Sequence, residues 1–173
     1  TIAGNTATGT GAGGADVFIS KLTPSSSFDW TSSAGGADED ISKGLAVAGN
    51  GTLFITGVFE GTAFFGLNSF TSNSGSKDIF IAALTQFGVI QWAVKAGGPE
   101  NDTANDAVLD NSGNCLITGH FRSSGSFGPF VLNSAGNDDI FTLKVSSTGS
   151  FFWATAYGGP DEDKSYGVSV DGQ

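Results

Sequence analysis

The chain repeats itself every 61–62 residues, and that period limits its possible folds more than any other feature. Asp16, Asp78 and Asp139 open three similar apolar runs, DVFISKL, DIFIAAL and DIFTLKV. Trp30, Trp92 and Trp153 follow the runs, and Gly35-Gly36, Gly97-Gly98 and Gly158-Gly159 follow the tryptophans. Ile55-Thr56-Gly57 returns as Ile117-Thr118-Gly119. A repeat of this length predicts a row of similar units that bury their faces against one another.

The period also sets the unit. In the second repeat, Gly44 to Ala48 is a short apolar run, and Gly49-Asn50-Gly51 is a hairpin turn, because Asn and Gly tolerate positive φ. Leu53 to Phe59 returns; Glu60 to Lys77 reads as a looser stretch; Asp78 to Leu84 and Val89 to Val94 form a second hairpin. That predicts four short antiparallel strands. The run DIFIAAL places Ile79, Ile81 and Ala83 on one face and Phe80, Ala82 and Leu84 on the other, so this strand is covered on both sides. With 27 Gly, 15 Phe and 3 Trp, the composition suits many turn-bounded strands with apolar faces.

Four-stranded units repeated radially form β-propeller blades. The expected fold is all-β: four-stranded antiparallel blades of a propeller, in about 2.8 repeats. Residues 1–14 are a Gly- and Thr-rich segment; 15–40 hold the outer two strands of a partial blade; 41–98 and 99–163 are full blades; 164–173 carry the first strand of a further one. The stretches GLAVAGNGTLFITGVF and DAVLDNSGNCLITGHF, with the D-[IV]-F, W…GG and TG phrases, resemble the SBBP-type β-propeller repeat from about Asp16 to Asp171. The resemblance implies a propeller and an extracellular or cell-surface setting of the kind found in bacterial surface proteins. It implies no activity. A closed propeller needs about four to eight blades, so this chain, which starts at Thr1, reads as a mature product or an excised piece.

Seventeen acids against seven bases give a net charge of −10. Such a surface repels nucleic acid and anionic membranes, and no run reaches the ~20 apolar residues of a membrane helix. The single Cys115 lies in the run CLITGHF and reads as a small buried hydrophobe. His120, five residues on, falls on the opposite side of the same strand, which argues against a Cys–His pair and against catalysis by His120.

Acidic loops follow each Gly-Gly pair, and Asp38, Asp40, Asp102, Asp161 and Asp163 are the candidate calcium ligands, since calcium takes six to eight oxygens. Neither the EF-hand nor the β-roll spacing is present, so the bland alternative is turn capping and solvation. No other cofactor is expected. Asp16, Asp78 and Asp139 read as structural, bonded to donors of a neighbouring loop. The tryptophans read as packing between units rather than a sugar platform. Phe64, Phe65, Phe127 and Phe130 either fold over the blade edge or form a contact patch. Asn50-Gly51-Thr52 and Asn101-Asp102-Thr103 match the N-glycosylation triplet.

The expectation is therefore a non-enzymatic, extracellular structural or adhesive module. Its partners are copies of itself joined head to tail into a ring or filament, or further blades of a larger surface protein. Thr1 to Gly14 could add a missing strand to such a joint. The alternative is a carbohydrate-binding propeller module with glycans as ligands. A propeller glycosidase or lyase fragment ranks below both, because no converging carboxylate pair is marked.

Overall fold

The computed structural model describes residues 13–73 and 75–171, so the proposed role of Thr1 to Gly14 in strand addition falls largely outside the described residues. Among the described residues all regular structure is β. The strands are β1 (Val17–Leu22), β2 (Phe28–Gly36), β3 (Ile41–Val47), β4 (Leu53–Glu60), β5 (Thr62–Phe65) and β6 (Asn68–Thr71). They continue as β7 (Lys77–Leu84), β8 (Ile90–Ala96), β9 (Thr103–Leu109), β10 (Cys115–Phe127), β11 (Phe130–Val145) and β12 (Phe151–Tyr157).

These strands make three four-stranded antiparallel sheets, ordered β1-β2-β5-β6, β3-β4-β7-β8 and β9-β10-β11-β12. The second and third are the units that the repeat predicts. Among the described residues the three sheets do not close on themselves.

The faces of β7 explain why the sheets stack. Phe80, Ala82 and Leu84 enter one apolar cluster with Val17, Ile19 and Phe65 of the first sheet. Ile79, Ile81 and Ala83 enter another with Ile117, Phe141 and Leu143 of the third. All six of these β7 side chains are 0% exposed. At roughly 1.5–3 kcal/mol for each large apolar side chain, such burial is the main force holding neighbouring sheets together. The end sheets are covered on one side only. In β1, Val17 and Ile19 are buried while Phe18 and Leu22 are exposed; in β11, Phe141, Leu143 and Val145 are buried while Ile140, Thr142 and Lys144 are not.

The recurring Thr-Gly has a local cause. Thr56 Oγ1 donates to Phe80 O at 2.7 Å and Thr118 Oγ1 donates to Phe141 O at 2.9 Å, so a buried hydroxyl is satisfied across the sheet. At the following glycines, a side chain would meet the carbonyls of Ile41 and Thr103 on the neighbouring strand. Register shifts sit beside both positions.

Two expectations are corrected. The first sheet has four strands, not two outer ones. Residues expected to form a loose stretch fold instead as the β5–β6 hairpin, which pairs back onto the first sheet through Gly35↔Phe64 and Gly36↔Ala63. The reason is that the end of β2 takes β5 as its backbone partner, and Phe65 reaches the cluster shared by sheets one and two. The third repeat makes the same move by lengthening β10 and β11, and Gly97 bridges Ser126. Second, Tyr166 to Val170 form no strand. Among the described residues they make no backbone ladder, and the bonds that hold them run to side chains of β9. Asp106 Oδ2 accepts Val168 N–H at 3.0 Å, and Asn105 Nδ2 donates to Ser165 O at 2.8 Å, which ties the segment to β9.

Candidate functional site

The residues singled out by the repeat converge where one sheet meets the next. Asp102 closes the Gly97–Asp102 loop: its Oδ2 accepts Gly98 N–H at 2.5 Å and its Oδ1 accepts Arg122 N–H at 3.0 Å. Its own N–H donates to Lys77 O at 2.8 Å. One side chain and its amide therefore join the end of β8, the start of β7 and the middle of β10. Asp40 accepts Gly36 N–H at 2.6 Å and donates to Ala15 O at 2.6 Å. Asp163 accepts Gly159 N–H at 2.8 Å and donates to Asp138 O at 2.6 Å.

The strand-start aspartates stand beside these clamps. A side chain placed on Gly97 would lie 2.6 Å from Asp102 Oδ2 and 3.0 Å from Asp78 Oδ1, so two carboxyl groups approach one glycine. Asp78 Oδ2 accepts from Asn73 Nδ2 at 3.3 Å and faces Lys95 Nζ at 3.5 Å. Asp139 Oδ2 accepts Ala135 N–H at 2.9 Å. The expected donors are present in part: Asp139 takes a loop N–H and Asp78 a side-chain amide and a lysine on Oδ2, while the buried Oδ1 atoms of Asp16, Asp78 and Asp139 have no hydrogen-bond partner among the described residues. Burial raises Asp102 to about 7 against the bonds from Arg122 and Gly98, with Asp78 adding to the rise. Burial raises Asp40 to about 6, with Asp16 adding to it. Asp78 is raised by burial despite Lys95.

The five candidate calcium ligands are not brought together. Asp38 and Asp40 belong to the first junction, Asp102 to the second, and Asp161 and Asp163 to the third. Asp40 is buried, while Asp38 and Asp161 are exposed. Among the described residues no three Asp, Glu, His or Cys side chains gather in a metal-holding group. The glycosylation triplets are partly engaged: Asn50 Oδ1 accepts Thr52 N–H at 3.0 Å, and Asn101 Oδ1 accepts Lys77 N–H at 3.0 Å.

The tryptophans are joints between sheets. Trp30 Nε1 donates to Gln86 O at 2.8 Å, and Trp92 Nε1 donates to Ser147 O at 2.9 Å, each reaching the outer hairpin of the next sheet. Trp92 also meets Phe54 edge-on at 5.9 Å. Trp153 differs: it is 37% exposed. The loop aromatics divide. Phe65 and Phe127 are fully buried, in contact with Phe80 and Phe141, while Phe64 is 50% exposed. Phe130 is half-buried.

His120 lines a polar cleft of about 360 Å³ with Lys77, Glu100, Thr103, Arg122 and Lys164. Its cations are already engaged: Arg122 with Asp138 at 2.7 Å, Lys164 with Asp138 at 3.1 Å and Glu162 at 2.6 Å, and Lys77 with Glu39. His120 Nδ1 lies 3.3 Å from Asn105 Nδ2, and burial together with Lys164 lowers its pKa. Cys115 lies in the apolar cluster between sheets two and three, where burial pushes its thiol up to about 12. Sequence reasoning missed this cleft because its charged residues come from separate loops and strands. It also missed the β5–β6 hairpin, although the Phe65-Gly66 and Phe127-Gly128 pairs recur at the repeat spacing.

No protein-family model and no curated protein matches this chain. Among the described residues no helix is long and apolar enough to cross a membrane.

Proposed function

We propose that this chain is a non-enzymatic structural or adhesive module of the β-propeller type, working outside the cell or on its surface, whose open sheet faces join further blades of the same kind. Those blades are either copies of the chain, added head to tail, or further parts of a larger surface protein. The observation that carries the reading is the junction itself. Tryptophan on an outer hairpin, aspartate clamp and returning hairpin are assembled twice within one chain, and Trp153 stands in the same place at an uncovered face. The resemblance to SBBP-type repeats supports the propeller and the extracellular setting. The mutual pairing of Arg122, Lys164 and Asp138 in the His120 cleft supports a structural role there.

Carbohydrate binding is the second reading, favoured by the exposed ring of Phe64, since aromatic faces stack on sugars. A glycan array on the purified chain separates the two. Saturable binding to a defined sugar, lost in Phe64→Ala, would displace the structural reading; absence of any such sugar keeps it. Electron microscopy then assigns the partner: rings or filaments mean copies, and a compact single particle means further blades of a larger chain.

A further inference from the structure

The two closed joints share a requirement that the open one inherits. Trp30 packs on Gly88, and Trp92 packs on Gly149, where φ is +79° and +85°. A side chain built on Gly88 would come within 2.5 Å of Trp30 Cε3, and one on Gly149 within 2.9 Å of Trp92 Cε3. Both glycines are buried. They are needed for the left-handed backbone and for the space that the indole fills.

The first sheet carries the same turn without the glycine. Gly88 N–H donates to Thr85 O at 2.9 Å, Gly149 N–H to Ser146 O at 3.1 Å, and Ser26 N–H to Thr23 O at 2.9 Å. Ser26 holds φ +63°, a region that a non-glycine residue seldom occupies. Its side chain stands where an incoming indole would lie. The backbone of this turn is that of an acceptor, and its surface is not.

We infer that the open face of the third sheet, built on Trp153 and the Gly158-Gly159 end of β12, docks a sheet of this same repeat whose outer hairpin carries glycine at the tryptophan-contact position, and that Ser26 bars this chain's own first sheet from that place. The partner is thus a blade with a turn like Thr85 to Val89. Its returning hairpin would pair with Gly158 as Ser126 pairs with Gly97, where the two N–H···O bonds measure 3.0 and 2.8 Å. A second copy of the chain makes the poorer match. The inference rests on the module reading above and selects between its two kinds of partner.

The test uses the full chain in four forms: wild type, Ser26→Gly, Ser26→Ala, and Ser26→Gly combined with Trp153→Ala. Sedimentation over a concentration series reads association, and circular dichroism confirms folding. The expected result is that Ser26→Gly associates at least about tenfold more tightly than wild type, that Ser26→Ala behaves as wild type, and that adding Trp153→Ala reverses the gain. If wild type and Ser26→Gly associate equally and both depend on Trp153, the selectivity is overturned while the module reading stands. If Ser26→Gly associates no more than wild type and neither depends on Trp153, the docking role of this face is overturned. If none of the four associates, the head-to-tail branch of the module reading falls with it.

Discussion

Gly98 N–H donates to Asp102 Oδ2 at 2.5 Å, in a loop whose carboxyl group also holds Arg122 N–H on the next sheet. This clamp joins two sheets through a buried acid, and it has a consequence for pH.

Asp102 and Asp40 have folded-state values of about 7 and about 6, raised above the ordinary carboxyl range by burial. The folded protein therefore keeps protons there that the unfolded chain releases above about pH 4. Stability from these two groups is fully present below pH 4 and is lost as pH rises through 6 and 7. His120, lowered by burial, acts in the opposite sense as pH falls below about 6.5. Asp110, held down by Lys144 and Asn114, loses its contribution only in stronger acid. The melting temperature should rise from pH 8 to about pH 5. Asp102→Asn should flatten that rise. A melting temperature that falls steadily over this range would contradict it.

Trp92→Ala should destabilise the chain by about 3–5 kcal/mol, the usual cost of removing a packed aromatic. Gly149→Ala should cost about 1–3 kcal/mol through strain at φ +85° and crowding against the indole. The two should couple, because each removes the same contact. Trp153→Ala in the monomer should cost well under Trp92→Ala. Denaturant unfolding of the four variants measures all of this, and equal losses for Trp92 and Trp153 would contradict the account.

Cys115 should resist thiol reagents in the folded state, since only the thiolate reacts and burial raises this thiol to about 12. Labelling should appear only with unfolding. Rapid modification of the native chain would mean that sheets two and three part readily.

Chelator should shift melting by no more than a few degrees, because the acids of the three loops lie at separate junctions and bond backbone amides. A ligand bound only by the folded chain would stabilise it by mass action. A large drop on chelation would therefore restore the loops as calcium sites.

Much of this was legible in the sequence. The alternation of DIFIAAL gave both covered faces of β7, and the recurrence of Trp30 and Trp92 gave two packing joints. The β5–β6 hairpin was not legible, because Thr62 to Thr71 mixes polar residues with exposed Phe64, and only the partner edge at Gly35-Gly36 makes it a sheet. Tyr166 to Val170 read as a strand from their place in the repeat, yet the bonds that hold them run to side chains of β9 and not to a backbone ladder. The approach of Asp78 and Asp102 to one glycine was hidden by distance along the chain. Each reads alone as a turn or strand-start residue, and their convergence on Gly97 appears only in three dimensions.

The central claim is that the chain closes two tryptophan joints and leaves a third open. It is tested most directly by hydrogen exchange at the three indole N–H groups in the monomeric protein, resolved by nuclear magnetic resonance. Trp30 and Trp92 donate to the carbonyls of Gln86 and Ser147, and their indole protons should exchange slowly. The proton of Trp153, exposed on the third sheet, should exchange at close to the rate of a free indole. Equal protection of all three, or equally rapid exchange at all three, would contradict the account.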